Sequence, residues 1–356
     1  MNQQEYYNKL KGAIIGRFAG CALGAPVEMM ELGKLIQFAK EINQDFPPTD
    51  YFLQAPNPDA PRYKVGKGRH FTKPEMKFLS TDDDITYTIL SLMMLEAKGE
   101  DLTTDDVANF WLEYLPIECT YTAERTTLQN LKNNMIAEEA GVFNNTELDY
   151  IGAAIRIDGY GYIHPGNPEK AVRLPNIDAS LSHRDVGVDS ALYFAALISL
   201  AFTSNDITKS MYQALEFIPK TGLIYQEITW ALSVKDQVTN YLIANQLVTK
   251  RYPNMSWAHA INNACLTVWG IYLGQHDYTK AISETVAMGY DNDCTAATVG
   301  SVLGAYLGID AIDQKWYQPW NNKLLSYLHN IDSFELDDII NRFYQIGLKN
   351  VLGDSV

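Results

Sequence analysis

The stretch GAIIGRFAGCALG, residues 12–24, places glycines at every fourth position of an otherwise apolar run. Residues four apart share one face of an α-helix, so the spacing predicts a helix over Tyr6 to Ala22 with a stripe of small residues along it. Glycine lowers helix stability, and we expect tight tertiary packing to offset that loss. Lys11 and Arg17 lie within the run and argue against a membrane span.

A second stripe lies near the end of the chain, where Gly300, Gly304 and Gly308 repeat the four-residue spacing in a predicted helix over Ala296–Leu307. Between the two stripes the helical period dominates, and no stretch shows the sustained alternation of a strand. The other main predicted helices cover Ile85–Lys98, a run from Thr103 that Pro116 stops, Thr122–Met135, Val188–Thr203, Ile207–Phe217, Tyr225–Leu232, Ser256–Leu273, Thr279–Ala287 and Phe334–Leu348. No linker of different composition divides the chain, which predicts a single compact all-α multi-helix domain over residues 1–356.

Two segments interrupt this helical pattern. Residues Asn43 to Lys67 contain five prolines and are predicted to form a long loop, of the kind that often serves as a lid. The segment Arg156 to Pro168 is rich in turn residues and lies between predicted helices.

The composition of the chain limits its function classes. Hydrophobic residues make up 47% and charged residues 20%, as in ordinary globular proteins, and the net charge of −15 argues against a nucleic-acid-binding surface. The four cysteines form no C-x-x-C pair, which argues against zinc or redox motifs, and the polar N-terminus lacks a signal-peptide pattern. The apolar runs are interrupted too early to predict a membrane span, so we expect a cytoplasmic protein. The oligomeric state is not indicated.

Two acidic clusters precede apolar helices: Ser80-Thr81-Asp82-Asp83-Asp84 and Asp291-Asn292-Asp293. Carboxylates this close repel one another unless a cation joins them, and oxygen ligands suit Mg²⁺, Mn²⁺ or Ca²⁺ rather than zinc. The clusters therefore predict one metal centre assembled from two distant segments. The alternative is ordinary capping of helix N-termini.

Four other residues have two interpretations each. Glu28 follows the first glycine-rich helix, where a carboxylate beside a metal could act as acid or base, or be an ordinary surface residue. His183 precedes an apolar helix and is either a functional residue of unspecified role or a capping or core histidine. Tyr160 either walls a pocket or packs in the core. Cys294 is interpreted as a small buried residue rather than a ligand, because hard cations do not favour sulfur.

Together these residues resemble the ADP-ribosylglycohydrolase family over most of the chain and in the family's order. Its motifs match, in turn, the first glycine-rich helix with the loop to Glu28, Thr81-Asp82-Asp83, Gly152-Ala-Ala-Ile-Arg156 with Leu181-Ser-His183, and Asp291-x-Asp293 with the apolar run to Gly300.

The resemblance implies an all-α hydrolase that removes ADP-ribose from a protein or other acceptor by cleaving its glycosidic bond. It implies two Mg²⁺ ions, with Mn²⁺ as an alternative, and an ADP-ribose-containing substrate. The implied catalytic residues are Glu28, Asp82 and Asp293, with Asp293 bridging the ions. The implied metal ligands are Thr81, Asp82, Asp83, Asp291, Asp293 and Thr295. The substrate-binding region contains Gly152, Tyr160 and His183.

The chain departs from the family pattern at a few positions. Cys294 stands where a hydroxyl ligand is usual, and either Thr295 or a water is the candidate replacement. Tyr150-Ile151-Gly152 replaces the usual Asn-Gly element. Two alternatives to an acceptor-specific hydrolase therefore stay open: hydrolysis of a free ADP-ribose-like nucleotide or nucleoside derivative, and a catalytically silent ADP-ribose-binding protein.

Overall fold

The computed structural model describes residues 1–352 and confirms the all-α class. The helices are α1 Gln3–Gly24, α2 Leu32–Glu41, α3 Asp83–Lys98, α4 Thr104–Tyr114, α5 Thr122–Lys132, α6 Ala137–Ala140, α7 Asp158–Tyr162, α8 Pro168–Ala171, α9 Arg173–Ala179, α10 Val186–Ala201, α11 Ile207–Ala214, α12 Leu223–Ser233, α13 Tyr241–Arg251, α14 Ala260–Leu273, α15 Tyr278–Ala287, α16 Asn292–Leu307 and α17 Leu336–Leu352. Two small antiparallel hairpins complete the fold: β1 Pro61–Arg62 with β2 Gly66–Lys67, and β3 Lys323–Leu325 with β4 Ser333–Glu335.

The two glycine stripes pack directly against each other. A Cβ atom added at Gly16 would lie 2.3 Å from the carbonyl oxygen of Gly300, and one added at Gly12 would lie 2.5 Å from that of Gly304. The stripes therefore let α1 and α16 approach backbone to backbone, which is the tight packing that the glycines predicted. Fourteen-residue α14 and ten-residue α15 pack on α16, and together these helices form the centre of the core.

Helix α1 is long and apolar enough to span a membrane by length and composition, so the expectation that every apolar run is too short is wrong for this helix. However, 89% of its most apolar window is buried inside the protein. The same apolarity is what a helix needs when it is surrounded by other helices on all sides.

The structure confirms local signals that start and stop predicted helices, and it contains helices that were not predicted. The capping box at Thr103 and Asp106 and the stop at Gly99 are as predicted. Helices α2 and α13 were not predicted, and each buries only two residues; the apolar periodicity is weak in α13, whereas α2 is amphipathic. The turn-rich segment contains the short helix α7, which is buried throughout.

Candidate active site

The two acidic clusters lie at the N-termini of α3 and α16, which the packing of α1 brings together. Asp82 is the residue before α3 and Asp291 the residue before α16, and neither side chain accepts a capping hydrogen bond from its helix. Capping therefore does not account for these two carboxylates. A Cβ atom at Gly24 would lie 2.4 Å from the Cα atom of Asp293, so the end of the α1 stripe fixes α16 beside the loop that leads to Glu28.

Helix α1 also supplies a buried cation that holds the first cluster in place. Arg17 donates to Asp84 at 2.9 Å and pairs with Asp158 of α7 at 2.9 Å, and all three side chains are fully buried. Arg17 also donates to Thr88 of α3 at 2.7 Å. A charge at this depth requires its partners, since an unpaired buried ion is strongly destabilising.

The donor set fits a hard divalent cation. Buried carboxylate oxygens of Asp82 (Oδ1), Asp84 (Oδ2) and Asp291 (Oδ1) have no hydrogen-bond partner among the described residues. Ligand atoms of Asp83, Asp84 and Cys294 lie within 4.8 Å of one another, as do those of Asp291, Asp293 and Cys294. Unpartnered buried carboxylates are rare unless a ligand satisfies them, so these oxygens are available for an ion.

Crowding and burial raise the carboxyl pKa values in this cluster. Burial, together with the neighbouring Asp82 and Asp291 and against the opposing effect of Arg17, raises the pKa of Asp84 to about 8. Burial and the charge of Glu28 raise the pKa of Asp291 to about 7. The pKa values of Asp83 and Asp293 are also raised, first by burial and then by neighbouring carboxylates. The metal-free cluster therefore holds protons that a cation would displace.

Arg62 lies among the carboxylates, a contact that the sequence did not indicate. It extends from the hairpin at the end of the proline-rich loop and donates to Asp82 at 2.6 Å. It also pairs with Glu28 at 3.0 Å and lies 3.5 Å from Asp293. The predicted role of the loop as a cover for the site gains support from this hairpin, because Pro61, Arg62 and Tyr63 line the cavity.

A cavity of about 380 Å³ opens over the acidic cluster. Its described lining carries four carboxylates, those of Glu28, Asp83, Glu124 and Asp291, against the single cation of Arg62. Tyrosines and a few apolar residues form much of the remaining wall: Tyr63, Tyr87, Tyr121, Tyr150, Ile151 and Ile155. Such a wall suits flat rings and sugar faces, while the acidic floor suits a cation.

Of the predicted ligands, Asp83 and Asp291 line the cavity, whereas Thr81, Asp82, Asp293 and Thr295 do not. Thr81 is buried, and its hydroxyl lies 3.2 Å from that of Thr86. The Thr295 hydroxyl donates to the carbonyl of Asp291, the residue before its own helix, at 3.0 Å. Cys294 instead lines the cavity, and burial next to Asp291 and Asp84 raises its thiol pKa well above the usual value. A protonated thiol is a poor ligand for a hard cation.

The predicted substrate residues divide between the cavity and the layer behind it. Gly152 lines the cavity. Tyr160 and His183 are completely buried and do not line it. Tyr160 donates to Asp178 at 2.7 Å, and the Nδ1 atom of His183 lies 2.8 Å from the Ser182 hydroxyl. In this structure both residues therefore support the cavity wall rather than face a ligand.

The buried network that holds this wall is centred on Arg156. It donates to Glu124 at 2.7 Å, to Asp178 at 2.5 Å and to Ser182 at 2.7 Å. Glu124 thereby holds a fixed carboxylate at the cavity next to Gly152. Burial raises its pKa above the usual value, and the charge of Arg156 opposes part of this rise. Burial, with the charge of Arg156, lowers the pKa of His183 well below its usual value, so the imidazole is neutral.

Sequence reasoning missed Arg62 and Glu124. Glu124 looks like an ordinary acidic residue in the first turn of α5, and no local pattern separates it from a dipole-stabilising one. Arg62 lies 20 residues from Asp82 along the chain, in a segment without periodicity. Only the tertiary structure brings these charges to the cavity.

The similarity of the chain to known proteins is consistent with the helical fold and the acidic site described above. The chain is 23% identical over 317 residues to an uncharacterized protein of Archaeoglobus fulgidus, in a match covering 87% of this chain and 90% of that protein. A solved structure described as an ADP-ribosylglycohydrolase-related protein complex shares the fold, with a TM-score of 0.61, 16% identity and coverage of 98% of this chain and 99% of that one. The model of the ADP-ribosylglycohydrolase family matches residues 2–345. The chain therefore belongs to the ADP-ribosylglycohydrolase family.

Proposed function

We propose that the protein is a metal-dependent glycohydrolase that cleaves the glycosidic bond between ADP-ribose and an acceptor. The single observation that carries the proposal is the set of unpartnered buried oxygens of Asp82, Asp84 and Asp291 beneath an open cavity. Family membership supports hydrolysis of ADP-ribosyl compounds. The proposed cations are two Mg²⁺ or Mn²⁺ ions held by the carboxylates of the two clusters.

In the proposed reaction, the cations and the residues of the cavity have different roles. In such a centre the cations supply a fixed anchor for ribose hydroxyls and polarisation of a water. Glu28 lies at the cavity with its side chain 28% exposed, and it exchanges a proton at the reacting oxygen. The tyrosine-rich wall excludes water from the remaining faces of the sugar.

An Asp293→Ala variant tests the metal dependence. Its carboxylate lies in the cluster and near Arg62, so we expect the variant to lose divalent-cation binding in calorimetry and to lose turnover of ADP-ribosylated substrates. Asp45→Ala serves as the control, because Asp45 is exposed and lies in the loop before the hairpin. Full turnover by Asp293→Ala in the presence of a chelator would exclude the proposed mechanism.

The acceptor is tested by a substrate panel that uses the metal-loaded protein. It contains ADP-ribose linked to arginine, to serine and to nucleic acid, together with free ADP-ribose derivatives. Release of ADP-ribose from one linked acceptor supports the proposal. Turnover of free derivatives alone supports the nucleotide hydrolase instead, and tight ADP-ribose binding without turnover of any compound supports a silent binding protein.

A further inference from the structure

The guanidinium of Arg62 occupies oxygens that a metal centre would use. It donates to the Oδ2 atom of Asp82 at 2.6 Å, lies 3.5 Å from the Oδ2 atom of Asp293 and pairs with Glu28 at 3.0 Å. These three carboxylates come from three separate segments, and Arg62 is the only cation that joins them among residues 1–352. Only 16% of its side chain is exposed, so solvent screens these pairs weakly.

The cluster therefore has two halves in different states. Around Cys294, the Oδ2 atom of Asp84 and the Oδ1 atom of Asp291 have no partner, although the other oxygen of Asp84 pairs with Arg17, and Asp83 lies close by. On the other side, the Oδ2 atoms of Asp82 and Asp293 already face the guanidinium of Arg62, while the Oδ1 atom of Asp82 has no partner. A divalent ion and a guanidinium repel each other and cannot share the same carboxylate oxygens at these distances.

We propose that Arg62 is a tethered competitor for one cation position of the centre. One ion binds directly through the free oxygens of Asp84 and Asp291, which both lie beside Cys294. A second ion binds only after Arg62 withdraws from Asp82 and Asp293. This inference rests on the proposed metal-dependent function and adds to it an unequal pair of sites and the residue that makes them unequal.

The surroundings of Arg62 allow such a withdrawal. Its strand is two residues long and pairs with an equally short partner, so few backbone hydrogen bonds oppose movement of the hairpin. Arg62 also donates to the carbonyl of Ala25 at 2.8 Å, and its guanidinium lies 5.4 Å from the ring centroid of Phe71. Contacts with Ala25, Phe71 and Glu28 can hold the side chain after it leaves the two aspartates.

The test is a calorimetric titration of the metal-stripped full-length chain with Mn²⁺. For the wild type we expect one tight site and one weaker site. For Arg62→Gln we expect the weaker site to tighten by roughly ten- to a hundredfold, the range expected when a charged hydrogen-bond competitor is removed. Arg62→Lys, which keeps the charge, should stay closer to the wild type.

Arg69→Gln is the matched control for loss of a positive charge from the same segment. Arg69 forms an exposed pair with Asp59 and does not line the cavity. Its variant should bind both ions as the wild type does. A similar tightening in Arg69→Gln would assign the effect to net charge and overturn the inference.

Hydrogen exchange of the wild type gives a second test that needs no variant. We expect faster amide exchange in residues 61–68 when the second equivalent of Mn²⁺ binds and little change with the first. Unchanged exchange at both equivalents overturns the inference, as do identical titration curves for the wild type and Arg62→Gln. Two equal sites in both proteins overturn only this inference, whereas absence of Mn²⁺ binding to both also removes the metal centre on which the proposed function rests.

Discussion

At the scale of single residues, the role of each polar side chain at this site depends more on the groups that it contacts than on its residue type. Thr295 and Cys294 are neighbours, yet the hydroxyl of Thr295 donates to the carbonyl of Asp291 while the thiol of Cys294 lies at the cavity. Glu28 and Glu124 are both carboxylates of the lining. Glu124 is held by Arg156 of the rigid buried network, and Glu28 by Arg62 of a short hairpin.

Glu28→Gln tests the assignment of this residue as acid or base. The amide keeps the shape of the side chain but cannot exchange the proton, so we expect turnover to fall by roughly a hundredfold or more. Mn²⁺ binding should change far less than turnover. The measurement is a pair of assays, ADP-ribose release and calorimetry, on the same preparation.

Glu31→Gln provides the comparison, since Glu31 is an exposed glutamate of the same loop and pairs only with Lys34 among the described residues. It should retain turnover. Wild-type turnover by Glu28→Gln would remove Glu28 from the mechanism, whatever the metal affinity.

At the scale of elements, α1 and α16 are the most extensively packed pair of helices among residues 1–352. The glycine stripes of both helices face each other, and α1 also carries Arg17 to α3 and α7. The same helix pair therefore holds both acidic clusters in position. Its packing is a structural requirement for the site as well as for the core.

Gly16→Ala tests this requirement. The added methyl group would lie 2.3 Å from the carbonyl oxygen of Gly300, and this backbone contact can be relieved only by separating the helices. We expect the free energy of unfolding to fall by about 1–3 kcal/mol or more, as for overpacked cores. Urea denaturation measures the change.

Gly33→Ala is the control, because it is a helical glycine whose added Cβ atom would meet nothing within 4 Å. It should be neutral or stabilising by up to about 1 kcal/mol. If both variants were equally stable, close contact of the two stripes would not be a source of stability.

Element prediction from the sequence succeeded where a signal is local. The Thr103 capping box, the stop at Gly99 and the long apolar helices carry their signals within a few residues. Helix α13 begins at a capping Asn240 but buries only Ala244 and Val248, so its apolar pattern is too sparse to predict. The three-residue strands β3 and β4 are likewise too short for alternation to be visible.

At the scale of the whole molecule, the raised carboxyl pKa values link stability to pH and to metal. Unfolded aspartates titrate near pH 4, whereas the pKa values of Asp291 and Asp84 in the metal-free fold are about 7 and about 8. Between these limits the folded chain binds more protons than the unfolded chain. The contribution of these carboxyl groups to the free energy of unfolding is therefore fully present below about pH 4 and is lost as the pH rises toward 8.

Thermal unfolding in chelator and in Mg²⁺ or Mn²⁺ measures this linkage. In chelator we expect the melting temperature to fall between pH 5.5 and pH 8. The cation should raise it more at pH 8 than at pH 5.5, because fewer protons then compete for the carboxylates. Asp293→Ala should show little response to the cation at either pH. An equal response of the wild type at both pH values would contradict the proton–metal competition.

The sequence alone determined the helical class, the two glycine stripes, the two acidic clusters and their order along the chain, because these patterns depend on residues within a few positions of one another. It placed Glu28 and Gly152 as candidates that the structure finds at the cavity. Only the tertiary structure decided that the stripes pack together, that Tyr160 and His183 lie behind the wall, and that Arg62 and Glu124 join the site. The physical reason is that burial, charge pairing and access to a cavity depend on contacts between segments far apart in sequence, and no local spacing encodes them.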